Sequence, residues 1–203
     1  MNSEHVHPVR EVIASGPQPF TRYQHYPPED VDDVTAGYAW YYHAHEPSEA
    51  RGWEEHGHFH CYAYPALLAG ATPLARPPEG DASHEAGMTH LLALCCSNRG
   101  VPNRLMTVNR WVTNEWMYPA DDLIPLIERF VIAPHLPFPL VGRWLSAMFR
   151  VLSPQIMWLM HERDRVLASA RERDPLGYTE DRTLEVLSSI SFDLDAHLLS
   201  IAG

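Results

Sequence analysis

The stretch that decides the fold is WYYHAHEPSEARGWEEHGHFHCYAY, residues 40–64. Aromatic residues and residues of alternating polarity at both of its ends favour β-strands. Pro47 and Gly52 lie in the segment between these ends, where both residue types favour a turn. The sequence therefore predicts two strands that pair as a β-hairpin, with EPSEARGW as the connecting loop.

Histidine is unusually concentrated in this stretch, because five of the 13 histidines of the chain lie within residues 43–60. Alternate residues of a strand point to the same face of a sheet. The predicted same-face sets are Tyr41, His43 and His45 on the first strand and His56, His58, His60 and Tyr62 on the second. Cross-strand neighbours lie roughly 5 Å apart, so one ion can bridge the two strands.

The histidine sets predict a mononuclear metal site, because imidazole is the commonest metal ligand in proteins. A catalytic site uses three or four protein groups and leaves one position open for water or substrate. The favoured ligands are His43, His45, His58 and His60, and the reserve ligands or outer partners are His56, His90, Glu49 and Glu55. The alternative without a metal is a set of half-buried histidines that hydrogen-bond to one another and to nearby glutamates.

The ligand types narrow the choice of metal. Imidazoles with an optional carboxylate suit Fe(II), zinc, copper, manganese or nickel, whereas calcium and magnesium prefer oxygen ligands. The cysteines Cys61, Cys95 and Cys96 do not have the spacing of a zinc knuckle, which makes structural zinc less favoured. We expect a divalent transition metal, with Fe(II) as the first choice and Zn as the second.

Part of the stretch resembles the first motif of the cupin superfamily. Five residues separate Gly37 from His43, His45 follows, and three residues separate His45 from Glu49. The resemblance implies metal binding and, as an alternative fold, a cupin-like β-barrel with a helical extension. The second cupin motif has no clean counterpart downstream, and the helix-rich residues 119–203 do not fit a cupin barrel.

The rest of the chain predicts strands first and helices second. MTHLLALCCS (88–97) and RLMTVNRWVTNEW (104–116) have strand character, and His90 is expected on the face of Leu92, Leu94 and Cys96. After Trp116 the apolar period becomes about 3.6 residues, which indicates helices, the last of them beginning near residue 179. The predicted fold is therefore α+β, with an antiparallel sheet of at least four strands at about residues 38–115 packed against C-terminal helices.

The predicted organisation is a single domain over residues 1–203. It consists of a loosely packed N-terminal arm at 1–36, a His-rich sheet at 37–117 and a helical half at 118–203. The formal net charge of −11 argues against binding to nucleic acid or to an anionic membrane surface. The few cysteines and the lack of an apolar leader favour the cytoplasm.

Arg110 is a candidate for orienting an anionic substrate, because it shares a predicted strand face with Val108 and Val112. An arginine among apolar neighbours can bind a carboxylate or phosphate with two hydrogen bonds. The alternative is a structural ion pair with Glu115 or with a helix carboxylate. Glu55 or Glu49 could tune the metal or act as a base.

Three functions fit these patterns. The first is a non-haem iron oxidoreductase that acts on a small-molecule or peptide substrate. The second is a non-catalytic metal-binding or accessory protein that binds a partner or a second copy through its helices at Trp144–Met160. The third is a zinc-dependent hydrolase with a ligated water as nucleophile.

Overall fold

The computed structural model of the chain describes residues 7–46 and 52–202. A six-stranded antiparallel sheet forms its centre, and the strands pair in chain order from β1 to β6. The strands are β1 (Tyr26–Asp33), β2 (Tyr38–His43), β3 (Gly57–Ala63), β4 (Thr89–Cys96), β5 (Pro102–Val108) and β6 (Val186–Ser191). Within the described residues, β1 and β6 are the edges of an open sheet, so the cupin-like barrel is not the fold.

Most of the helices in the described residues lie between β5 and β6 along the chain. The helices are α1 (Pro8–Ser15), α2 (Arg110–Thr113), α3 (Ala120–Glu128), α4 (Pro139–Val151), α5 (Ser153–Arg173) and α6 (Leu194–Ala202). Short 3₁₀ turns lie at Pro65–Leu68 and Glu85–Gly87. None of the helices in residues 7–46 and 52–202 has the length and apolarity needed to cross a membrane.

The main hydrophobic core lies between one face of the sheet and the helices α1, α3, α4 and α5. Trp40, Tyr42 and Phe59 point into this core from β2 and β3, and Leu145 and Leu159 point into it from α4 and α5. This arrangement confirms the predicted α+β fold. The alternate residues of β2 and β3 point to the opposite face, so the C-terminal helices pack on the face that does not carry the histidines.

A bulge in β4 changes which of its residues share a face. Tyr62 lies opposite His90, whereas Cys61 lies opposite Leu92, so Leu91 is an extra residue between the two pairs. His90 therefore faces the histidines of β3, while Leu92 and the alternate residues after it enter the helix-covered core. The prediction that His90 shares a face with Leu92, Leu94 and Cys96 is wrong for this reason.

Two segments outside the predicted sheet belong to it. Residues 26–33, expected in a loose N-terminal arm, form the edge strand β1, and Val12 of α1 is fully buried against the core. Residues 186–191, expected to be helical, form β6 at the other edge. The Ser188 hydroxyl lies 2.6 Å from the Thr107 hydroxyl of β5 and donates to the Leu159 carbonyl at 2.8 Å. The pairing of residues 186–191 with β5 thus outweighs the helical pattern of their sequence.

Leu94 offers a direct test of the core assignment, because its side chain in the central strand β4 is only 1% exposed. We expect Leu94→Ala to lower the free energy of unfolding by about 2–5 kcal/mol, since it removes buried methyl groups and leaves a cavity. Leu176→Ala is the matched control, because Leu176 is 95% exposed, and it should change stability by less than about 0.5 kcal/mol. Urea denaturation gives both values, and equal effects would contradict the assignment.

Candidate metal centre

Two histidines of β3 place their Nε2 atoms next to the Nε2 atom of His43 in β2. His43 lies directly opposite His58 in the β2–β3 pair, and their Nε2 atoms are 3.0 Å apart. The Nε2 atom of His60 is 3.1 Å from the same Nε2 atom of His43. Two nitrogens bound at right angles, each about 2.1 Å from one ion, are separated by about 3.0 Å. The spacing therefore matches that of neighbouring ligands on a single metal ion.

His45 brings a fourth imidazole to this cluster from just beyond the end of β2. Its ring centroid is 4.5 Å from that of His43 and 5.3 Å from that of His58. One ligand atom from each of His43, His45 and His58 lies within 4.8 Å of the other two. The four favoured histidines thus lie together on one face of the sheet, and we call them the histidine cluster.

Glu55 fixes the orientation of the His58 ring. The Nδ1–H group of His58 donates to Oε1 of Glu55 at 3.0 Å, and Oε2 of Glu55 accepts from Nε1 of Trp53 at 3.3 Å. Because a neutral imidazole has only one N–H group, this contact leaves a lone pair on Nε2 of His58. A carboxylate that orients a histidine in this way is a common outer partner of a metal ligand.

His90 orients His60 from the neighbouring strand β4. Nε2 of His90 lies 2.8 Å from Nδ1 of His60. Burial, reinforced by the surrounding imidazoles, lowers the pKa of His60 well below its ordinary value, and burial lowers the pKa of His90 to about 3. Both rings are therefore neutral near pH 7, which is the form of imidazole that binds metals.

His56 does not join the histidine cluster. Its Nδ1 atom is 2.5 Å from the hydroxyl oxygen of Tyr42, and its ring lies 5.3 Å from that of Phe20, on the helix-covered side of the sheet. β3 begins at Gly57, so the alternation of faces does not extend back to His56. A Cβ atom at Gly57 would overlap the carbonyl oxygen of His43, which shows how closely the two strands approach there.

The other predicted catalytic residues have different locations. Arg110 begins the short helix α2 instead of continuing β5, and its buried guanidinium is paired with the carboxylate of Glu180. The pairing is a structural ion pair, but its partner Glu180 lies in a turn and is neither of the partners that the structural alternative predicted, Glu115 or a helix carboxylate. Glu49 lies outside the described residues.

A family model matches residues 1–192, a span that includes all six strands and the whole histidine cluster. The chain belongs to the family described as Domain of unknown function (DUF6969). No curated protein and no solved structure matches the chain. The function of this DUF6969 chain is therefore inferred from its own residues.

Two groups near the cluster were not among the predicted site residues. Cys95 reaches the cluster from β4, and one ligand atom from each of Glu55, His58 and Cys95 lies within 4.8 Å of the other two. The hydroxyl groups of Tyr41 and Tyr62 are 2.9 Å apart on the same face of the sheet. Strict alternation along β4 predicts that Cys95 and His90 point to opposite faces, and the bulge places them on the same face. Tyr41 and Tyr62 already lie in the predicted same-face sets.

Cavities adjoin the cluster on two sides. A cavity of about 780 Å³ is lined by His45, Glu55 and Trp53, among others. A smaller cavity of about 250 Å³ is lined by His43 and Tyr41, among others. The histidine cluster thus has space beside it in which a small molecule could reach a bound ion.

Glu115 has a buried carboxyl group next to the backbone of His90. Its burial predicts a pH dependence of stability that does not depend on a metal. Burial raises the pKa of Glu115 to about 8, although its carboxylate accepts from the backbone N–H of His90. In the unfolded chain the same group titrates at about 4.3. The wild-type protein should therefore lose stability as the pH rises from about 4.3 to 8, because folding then requires an extra proton.

Glu115→Gln should remove this pH dependence, because glutamine is neutral throughout and keeps an oxygen acceptor. We expect the free energy of unfolding of the variant, relative to wild type, to increase by more than about 1 kcal/mol between pH 5 and pH 8. Exposed Glu172→Gln is the control and should show no such trend. Denaturation curves at several pH values test this, and parallel profiles for Glu115→Gln and wild type would contradict it.

Proposed function

We propose that the chain is a metal-dependent enzyme that binds one divalent transition metal at His43, His45, His58 and His60. The observation that supports this proposal most directly is that the Nε2 atoms of His58 and His60 lie 3.0 and 3.1 Å from the Nε2 atom of His43. A neutral imidazole presents a lone pair on one ring nitrogen. A metal ion beside these three Nε2 atoms would accept such lone pairs from the rings.

The surroundings of the cluster support metal binding over a purely hydrogen-bonded core. Glu55 and His90 each engage the Nδ1 atom of one cluster ring, and the Nε2 atoms of these two rings, His58 and His60, face the Nε2 atom of His43. His58 and His60 are at most 2% exposed. Such outer contacts fix ring orientation and make the ligands more basic.

We propose Fe(II) as the metal and an oxidoreductase as the class of enzyme. Imidazole ligands suit Fe(II), and the ion would supply redox chemistry beside a substrate. A zinc hydrolase is the second candidate, but it needs a general base near the metal-bound water. Both oxygens of Glu55 are already engaged, by His58 and Trp53, so its role fits ring orientation better than proton transfer.

The substrate of the proposed enzyme is a small molecule or a peptide side chain. The cavity of about 780 Å³ beside His45 and Glu55 lies within the usual range of about 300–1,000 Å³ for small-molecule sites. Arg110 is not part of this proposal, because Glu180 already pairs with its guanidinium. The residues of this chain that would act on the substrate are therefore those lining the cavity at the cluster.

An accessory protein without catalysis is the alternative, and the exposed apolar residues of α5 are the observation that favours it. Met157 is 37% exposed and Trp158 is 50% exposed. The remaining large apolar side chains of the proposed partner-binding segment, Trp144–Met160, are mostly buried in the main core. The available partner surface is consequently small, and the enzyme remains the favoured proposal.

Substitution of a single ligand or orienting residue of the histidine cluster should weaken metal binding. We expect purified wild-type protein, reconstituted anaerobically with Fe(II), to bind one ion at the cluster, and His58→Ala and His43→Ala each to weaken that binding at least about 100-fold. Glu55→Gln should weaken it by about 10–100-fold, since it loosens only the orientation of His58. Isothermal titration and metal analysis measure these affinities.

The matched control for the histidine variants is His135→Ala, because His135 is exposed and lies far along the chain from the cluster. It should bind Fe(II) like wild type. Circular dichroism must show that every variant is folded before its affinity is compared. Folded His58→Ala and His43→Ala proteins that bind Fe(II) as tightly as wild type would refute the proposed site.

A further inference from the structure

A second group of metal-ligating side chains lies beside the histidine cluster and shares none of its residues. His25 lies just before β1, Asp30 lies within β1, and Glu85 begins the 3₁₀ turn at Glu85–Gly87. One ligand atom from each of the three residues lies within 4.8 Å of the other two. We infer that His25, Asp30 and Glu85 form a second site for a divalent cation.

The two ring nitrogens of His25 each face a carboxylate, which supports this inference. Nδ1 of His25 is 2.9 Å from Oδ1 of Asp30, and Nε2 of the same ring is 3.8 Å from Oε1 of Glu85. Imidazole nitrogens and carboxylate oxygens are both ligands of divalent transition metals, and here two carboxylates flank one imidazole ring.

The ring of His25 is held in place for this role. It stacks on the ring of Tyr41, with centroids 3.6 Å apart and planes 10° from parallel. Asp30 is held as well, because its second oxygen, Oδ2, lies 3.0 Å from Nδ1 of His84. A side chain whose rotamer is fixed loses little entropy when it binds an ion.

The carboxylates of the group are shielded from water. The side chains of Asp30 and Glu85 are only 7% and 17% exposed. Within the described residues their ion pairs are with histidines alone. Shielded carboxylates need a compensating positive charge, and a divalent cation supplies it.

The proposed ligands differ in chemistry from those of the cluster. Two carboxylates and one imidazole form a harder, more oxygen-rich set than four imidazoles, and this set suits Mn(II). The cavity of about 250 Å³ is lined by His25 and Glu85 of the second site and by His43 of the cluster. The ring centroids of His25 and His43 are 5.6 Å apart, so a molecule in this cavity can contact both sites.

Titration with Mn(II), followed by the loss of the free-ion EPR signal, tests the second site. We expect Glu85→Gln and His25→Ala to weaken one Mn(II)-binding event at least about tenfold. His58→Ala should leave that event unchanged, because His58 belongs only to the cluster. Glu172→Gln, at an exposed position of α5, is the matched control for Glu85→Gln.

Two results would overturn the inference. The first is wild-type protein that binds no Mn(II) at millimolar concentration. The second is unchanged Mn(II) binding in folded Glu85→Gln and His25→Ala variants. Because Fe(II) binding at the cluster is measured separately with His58→Ala, failure of the second site is distinguishable from failure of the proposed function.

Discussion

The cross-strand pair of His43 and His58 is the constraint on which the candidate site depends. Antiparallel pairing places these residues directly opposite each other, so their side chains leave the sheet together and their Nε2 atoms meet at 3.0 Å. A shift of one residue in this register would turn one of the two rings into the helix-covered core. The alternating partners Tyr42 and Phe59 prevent that shift, because they are large, fully buried side chains on the other face.

The two faces of the sheet therefore have different roles. One face packs against α1, α3, α4 and α5 and supplies most of the buried apolar surface, which stabilises the fold. The other face holds imidazoles, tyrosine hydroxyls and the Cys95 thiol beside two small apolar clusters, which include Met88 and Met106. The core on the first face holds β2 and β3 rigidly, and rigid strands are what a preorganised ligand set requires.

The sequence was sufficient for the parts of this arrangement that depend on local alternation. The two strands, their antiparallel pairing and the common face of His43 and His58 follow from a period of two residues. Alternation fails where the strand is irregular, as at His56 before the start of β3 and at His90 beside the bulge. Alternation along a strand also does not predict contacts between residues that are distant in the sequence. For this reason the His25 group and the pairing of the edge strand β6 are seen only in the structure.

The central claim is that the histidines of two adjacent strands bind one ion. A crystal of the Fe(II)-reconstituted protein, measured on both sides of the iron absorption edge, tests it most directly. The account predicts one strong anomalous peak within about 2.3 Å of the Nε2 atoms of His43 and His58. An iron peak elsewhere, or no peak at the cluster in a crystal whose protein contains stoichiometric iron, would contradict it.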